Sequence, residues 1–481
     1  MRRSITITLL YKFILISETF LNIIEYLFLG DLMEKKKIVI VGALGMDFHL
    51  FNRKFRNNED YEVVAFTYAG EQNVGTTSKN ERIYPHELAG DMYPDGIPMY
   101  PEIMLESLIR KYKIDLVYLA YSDLSAKHVV YLGQRTQSAG AEYVLPNPDD
   151  TMIKADVPVT SVCAVRTGCG KSQVSTKLVD ILTEKGLKVI SIREPMPYGD
   201  LRKQVSMRFA SEEDLIKHNC TVEEREEYEQ YIEKGHVIYS GVDYEAILKD
   251  VMKENPDVIH FDGGNNEIPF YKPDLFITLV DPLRVGHETE YYPGQINLRR
   301  ANVVVINKEN TAKKEDIEKL LKSVKEMNPK AEIIHSNSVV EVENPDIVRE
   351  KRVLVIDDGP TITHGGMSFG AGYVAAQKYG CKVVDPRPFL KGSMKDIFEE
   401  FKHIKKVLPA MGYNSEQIKD FEATVNSVDC DAVLYGTPME LKHIIKINKP
   451  SQRARYRIEE IKEKGPSLEE ILDRFIREKG L

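Results

Sequence analysis

Pro158–Ser172, PVTSVCAVRTGCGKS, is the stretch whose reading decides the fold. Val159 to Val165 is apolar and β-branched, the composition of a buried strand. Thr167-Gly168-Cys169-Gly170-Lys171-Ser172 follows at once, and Val174, Leu178, Val179, Ile181 and Leu182 then recur at helical spacing until Gly186. Strand, glycine loop and helix in that order gather backbone N–H groups and the positive end of a helix dipole around an anion. Lys171 adds a point charge and Ser172 a hydroxyl for Mg²⁺, so Thr167 to Ser172 is predicted to hold the phosphates of ATP or GTP.

A G-x-x-x-x-G-K-[ST] loop needs glycine where this chain has Val165. Arg166-Thr-Gly-Cys-Gly-Lys-Ser172 instead resembles the variant K-G-G-x-G-K-[ST] loop of the dimerising P-loop ATPases and GTPases, with Arg166 in place of their second lysine. The resemblance implies a homodimer or higher homo-oligomer. In it Arg166 reaches nucleotide phosphates, at times those of the partner subunit, and steadies the charge that develops in phosphoryl transfer.

With 481 residues, 42% of them hydrophobic, the chain has room for two or three domains with their own cores. A net charge of −9 argues against nucleic acid as the main partner. The five cysteines lack C-x-x-C spacing, which suits reduced thiols in the cytoplasm. Residues 1–32 are set apart. Lys12, Glu18, Asn22 and Glu25 interrupt their apolar run, so a membrane span is not expected, and Met33 reads as the natural start.

Beyond Met33, strands alternate with helices, the pattern of doubly wound parallel sheets. A Rossmann-like α/β domain is expected over 33–150, with Gly42 and Gly45 in a glycine turn after the strand Ile38–Val41. That turn serves packing or approaches a phosphate, since no acidic residue ends the second strand. A P-loop NTPase domain is expected over 151–345. Val258–Asp262 is an apolar strand ending in a carboxylate, which makes Asp262 a Mg²⁺ ligand beside Ser172. Asp200, or Glu194, in the loop after Lys188–Ile192 can hold Mg²⁺ through water or orient a nucleophile. The acidic run Glu223–Glu229 reads as a solvated helical insertion or a lid. Tyr291, Tyr292, Arg299 and Arg300 suit an acidic or phosphorylated small molecule. Asn307-Lys308-Glu309-Asn310 is close to the guanine motif N-K-x-D, but Asn310 cannot accept twice from a base, which leaves ATP and GTP both open.

A C-terminal α/β domain is expected over 346–458 and a helical tail over 459–481. Asp357, Asp358 and His364 offer acid–base or metal chemistry in a loop whose glycines leave N–H groups for an anion. Ile444–Asn448 is predicted as a strand, and Arg453, Arg455 and Arg457 alternate along another extended segment.

Gly42–His49, Cys163–Gln173, Met196–Asp200, Asp262–Asn266, Tyr291–Gly294, Asp358–Thr361, Thr363–Met367 and Ala410–Tyr413 carry a further resemblance. From Met33 on, the chain is similar to a family described as predicted GTPases and cyclic 2,3-diphosphoglycerate synthetase-like proteins. What this implies is Mg²⁺-dependent use of ATP to close a phosphoanhydride within 2,3-diphosphoglycerate. The expected enzyme binds NTP at Gly168–Ser172 and phosphorylates an acidic substrate held against Asp358–Met367, with Lys171 and Arg166 neutralising charge. The alternatives are a regulatory or assembly GTPase that switches a dimer, and an NAD(P)-binding protein built on the first domain.

Overall fold

The computed structural model describes residues 35–42, 45–69, 82–194, 199–264, 267–363, 365–412 and 415–481. The expected extension 1–32 and, among the expected site residues, His364 lie outside them.

The first domain holds β1 (Lys36–Val41), β2 (Tyr61–Tyr68), β3 (Arg82–Tyr84), β4 (Ile97–Pro101), β5 (Leu116–Leu119), the two-residue β6 (Leu124–Ser125) and β7 (Glu142–Val144). Six of them form one sheet in the order β3-β4-β2-β1-β5-β7, parallel except where β3 meets β4. Gly42 donates to Thr67 O at 2.8 Å, and a Cβ there would run into Ala120 O.

A second sheet carries β8 (Val159–Ala164), β9 (Val189–Arg193), β10 (Met207–Phe209), β11 (Val237–Ser240), β12 (Val258–Asp262) and β13 (Leu275–Val280). After the short β14 (Tyr291–Tyr292), which pairs with β6, come β15 (Val303–Ile306) and β16 (Glu332–Val342). From β11 through β9, β12, β8, β13 and β15 to the first half of β16 the strands are parallel. All six residues of β8 are buried. Burying one Val stabilises by about 1.5–3 kcal/mol, so the strand before the glycine loop is held firmly on both faces.

The second half of β16 pairs antiparallel with β21 (Ser451–Glu460), which continues parallel to β20 (Ala432–Gly436) and β17 (Arg352–Asp357). β18 (Lys382–Val383) and β19 (Val407–Pro409) complete that side. β16 and β21 thereby join the sheet of the expected P-loop domain to that of the expected C-terminal domain in 13 strands. The first sheet shares a core with the second, where His49 stacks on Phe270 with ring centroids 4.3 Å apart.

Two expectations need correction. Ile444–Asn448 is not a strand, because side chains take its backbone groups. Glu422 accepts from Lys446 N at 2.8 Å, and Asn426 accepts from Asn448 N at 2.9 Å and donates to Lys446 O at 2.7 Å. Nor is the acidic helix Val222–Ile232 a solvated face. Its Glu224, Glu226, Glu229, Tyr228 and Tyr231 are buried, Tyr228 stacks on Phe209, and Glu224 closes a capping box with Thr221. The tail forms the helix Leu468–Lys479. It buries Leu468, Ile471, Leu472 and Phe475 in the core that also holds Val174, Leu178 and Leu182 of the helix after the glycine loop.

Candidate active site

Strand β8 delivers its loop to the carboxyl edge of the parallel sheet, where the helix Lys171–Glu184 begins. Gly168 and Gly170 have φ of +82° and +100°, a region side-chain-bearing residues rarely adopt, and a Cβ on Gly170 would collide with the Asn307 amide. Three successive carbonyls of the loop are held from outside. Arg284 NH1 donates to Thr167 O at 2.7 Å, Lys308 Nζ to Gly168 O, and Asn307 Nδ2 to Cys169 O at 2.9 Å. In planar trans peptides the next N–H points the opposite way, so the N–H groups of Gly168 and Gly170 turn away from those donors.

The loop borders a cavity with about 1210 Å³ of empty space, its open mouth included. It is lined by Arg166, Thr167, Gly168, Gly170, Lys171 and Ser172, with Lys308 and Arg193. The lining also includes Asp358, Pro360, Thr361, Met367, Phe369, Gly370 and Ala371. Cys169 and Asn307 lie behind the loop, outside the lining.

Asp262 is fully buried beneath the cavity and saturated with donors. Lys171 Nζ (2.7 Å) and Ser175 Oγ (3.0 Å) donate to one oxygen, Arg193 NH1 (2.7 Å) and Tyr231 OH (2.9 Å) to the other. Burial works against its ionisation, yet Lys171 and Arg193 hold the carboxyl far below the usual range. Asp262, expected to hold Mg²⁺, is here occupied by donors of the protein itself. Four donors, two of them cations, already use a carboxylate's lone pairs. Among the described residues, a cluster with metal-ligand spacing is Glu212, Glu229 and His443, and the Arg225 guanidinium binds both of its glutamates.

Arg166 is bound within its own chain. Its NH1 lies 2.8 Å from Asp123 Oδ1, its guanidinium sits 3.9 Å from the Tyr291 ring centroid, and Thr167 Oγ1 donates to Asp123 at 3.0 Å. The cation expected to reach nucleotide phosphates, at times those of a partner subunit, thus lines the cavity and is held there by Asp123. Asp200 is not at the cavity. It caps the turn Leu201–Lys203 on the surface and pairs with Arg202 at 2.8 Å, which holds its carboxyl below the ordinary value. Arg300 pairs with Asp149 at 2.6 Å, and neither it nor Arg299 lines the cavity.

Asp358 accepts from Thr361 N at 3.1 Å and from Thr361 Oγ1, and burial raises its carboxyl. Asp357 is not a chemical group of the cavity. It is buried under the N–H groups of Gly370 (2.8 Å) and Gly372 (2.6 Å) at the start of the helix Ala371–Lys378. Asn310, at the guanine-motif position, donates to Ser338 O at 2.9 Å and accepts from Ser338 N at 3.1 Å. Its amide is spent on the backbone.

Sequence reasoning passed over Arg193, Glu227 and Arg284. Arg193 forks between Asp262 and Glu227, at 2.7 and 2.6 Å, and both Arg193 and Glu227 line the cavity. Arg193 had one available signal, its place directly after the apolar run Val189–Ile192, where strand ends carry ligands. Glu227 had none, since one glutamate in an acidic helix reads like its neighbours.

No protein-family model matches the sequence. The arginine synthetase ArcE of Thermococcus kodakarensis is 51% identical over 445 residues, which are 92% of this chain and 98% of that protein. A cyclic 2,3-diphosphoglycerate synthetase of Pyrococcus furiosus is 29% identical over 79 residues, 16% of this chain and 18% of that protein. Among solved structures, LpxK from Aquifex aeolicus in complex with ATP superposes over 77% of this chain and 99% of its own, at 14% identity and a TM-score of 0.42.

Proposed function

The chain belongs to the family of the arginine synthetase ArcE, and from that premise we propose that it is a nucleotide-dependent synthetase whose product is arginine. The observation that carries this reading is one cavity lined both by the glycine loop and by residues of the segment Asp358–Ala371. A triphosphate on Thr167–Ser172 draws Lys171 away from Asp262 toward the phosphates, and Arg193 then keeps Asp262 paired. Completing a guanidinium means bonding nitrogen to a carbon whose oxygen leaves poorly. Transfer of the terminal phosphoryl group to that ureido oxygen lets ammonia displace it as inorganic phosphate, leaving nucleoside diphosphate, phosphate and arginine. Asp358 lines the cavity and burial raises its carboxyl, which supports it as the base that takes the proton the attacking nitrogen loses.

ATP is the favoured nucleotide, because reading guanine needs a carboxylate acceptor and Asn310 is committed to Ser338. The wider likeness to an arginine synthetase favours arginine over cyclic 2,3-diphosphoglycerate, whose synthetase matches over 79 residues. A dimer switch worked by Arg166 has less support, since that side chain is held in cis by Asp123 and Tyr291. Incubation of the purified protein with ATP, ammonium and citrulline should form arginine and ADP in equal amounts. Nucleotide consumption without arginine, stimulated instead by phosphoglycerates, would overturn the reading.

A further inference from the structure

We propose that Arg284 is a positioning residue that makes nucleotide binding and acceptor binding depend on each other. This rests on the reading of the cavity as a synthetase site. Arg284 ends the short turn Pro282–Arg284 after β13 and is buried. Its NH1 donates at once to Thr167 O at 2.7 Å and Gly365 O at 2.8 Å. Its NH2 meets Cys169 Sγ at 3.4 Å and Asp281 at 3.0 Å. One nitrogen thus spans two main chains, that of the glycine loop and that of the turn following Asp358–Ile362, and both segments border the cavity.

The local charge points the same way. Asp281 is the shared counter-ion of Arg284 and of Lys308, whose Nζ lies 2.8 Å from it, and both cations also hold glycine-loop carbonyls. Burial opposes ionisation of Asp281, but the two cations hold its carboxyl below the ordinary range. Two cations against one carboxylate leave a positive excess beside the loop, which an anion in the loop relieves. Among the described residues, Arg284 Nε finds no acceptor, so the fork is oriented by the two carbonyls and Asp281 at the expense of its third donor site. When phosphates fix the loop, Thr167 O fixes the fork, and the fork fixes Gly365. An acceptor that orders the turn at Gly365 acts on the loop through the same atoms.

Coupling of this kind is reciprocal and typically worth about 5- to 150-fold in affinity. Calorimetric titration of a non-hydrolysable ATP analogue with and without citrulline should show at least about fivefold tighter binding with citrulline present. Arg284→Met keeps an unbranched stem but has no N–H for either carbonyl. It should weaken analogue binding alone about threefold and bring the coupling ratio close to 1. Arg284→Gln serves as the second variant, and a cooperative thermal melt identifies folded protein. Wild-type coupling below about twofold, or coupling retained in either folded variant, overturns the proposal while leaving the synthetase reading standing. Failure of the analogue to bind wild-type protein removes both.

Discussion

Two glycine turns in this chain lead from a buried parallel strand into a helix, and they have opposite fates. At Gly168–Gly170 the facing space is a cavity. At Gly42–Gly45 the corresponding space is taken by the protein itself. The Glu194 carboxylate is wedged between Gly45 and Gly264, and a Cβ on either glycine would collide with it. A third turn, Gly370–Gly372, is filled by Asp357 in the same manner. Glycine and a helix start make a place for an anion. Whether that anion is a ligand or a side chain depends on what the rest of the fold brings there.

The open turn should fail most severely when its cation is removed. Lys171→Ala is expected to cut arginine-coupled ATP turnover by at least about 100-fold, the scale of losing one group that stabilises transition-state charge, and a coupled ADP assay reads it. Next comes the carboxylate beneath it. Asp262→Asn leaves Lys171 buried without its counter-charge and Arg193 with Glu227 alone, and should cost about 3–5 kcal/mol in denaturant unfolding. ATP, which offers Lys171 another anion, should restore part of that loss.

The contrast is sharpest in a matched pair. Gly45→Ala pushes a methyl into Glu194, which Gly264 keeps from retreating, and should cost about 1–3 kcal/mol of stability with ATP affinity unchanged. Gly170→Ala should destabilise and also weaken ATP binding at least about tenfold. Equal loss of ATP affinity in both variants would erase the distinction between the two turns.

The smallest effect concerns the third turn. Burial lifts the Asp357 carboxyl to about 6, against the opposing pull of the Gly370, Gly372 and Tyr373 N–H groups. A carboxyl whose folded pKa lies above its unfolded value of about 4 takes up a proton on folding between those values. The contribution of this group to stability should therefore grow as pH falls from 7 to 5. Thermal melts across that range should show a smaller gain for Asp357→Asn than for the wild-type chain.

How much could be read from the chain varies with how local the cause is. The alternation of strands and helices, the glycine loop and the strand ending at Asp262 were legible, because backbone periodicity and strand-to-helix turns are properties of neighbouring residues. The pairing of Arg166 with Asp123, the burial of the acidic helix at Glu224–Glu229 and the surface place of Asp200 were not, because each depends on residues distant in the chain. Glu226 and Asp200 look equally solvated in one dimension, and only their surroundings separate them.

By itself, then, the sequence determined where an anion can be held, since backbone N–H groups, positive φ and a helix start are fixed within a few residues. Tertiary structure decided which of those places stays open, which cation is left to face it and which carboxylate is spent on neutralising its neighbours. Charge and volume are settled by what packs against a group, and packing joins parts of the chain that no local pattern connects.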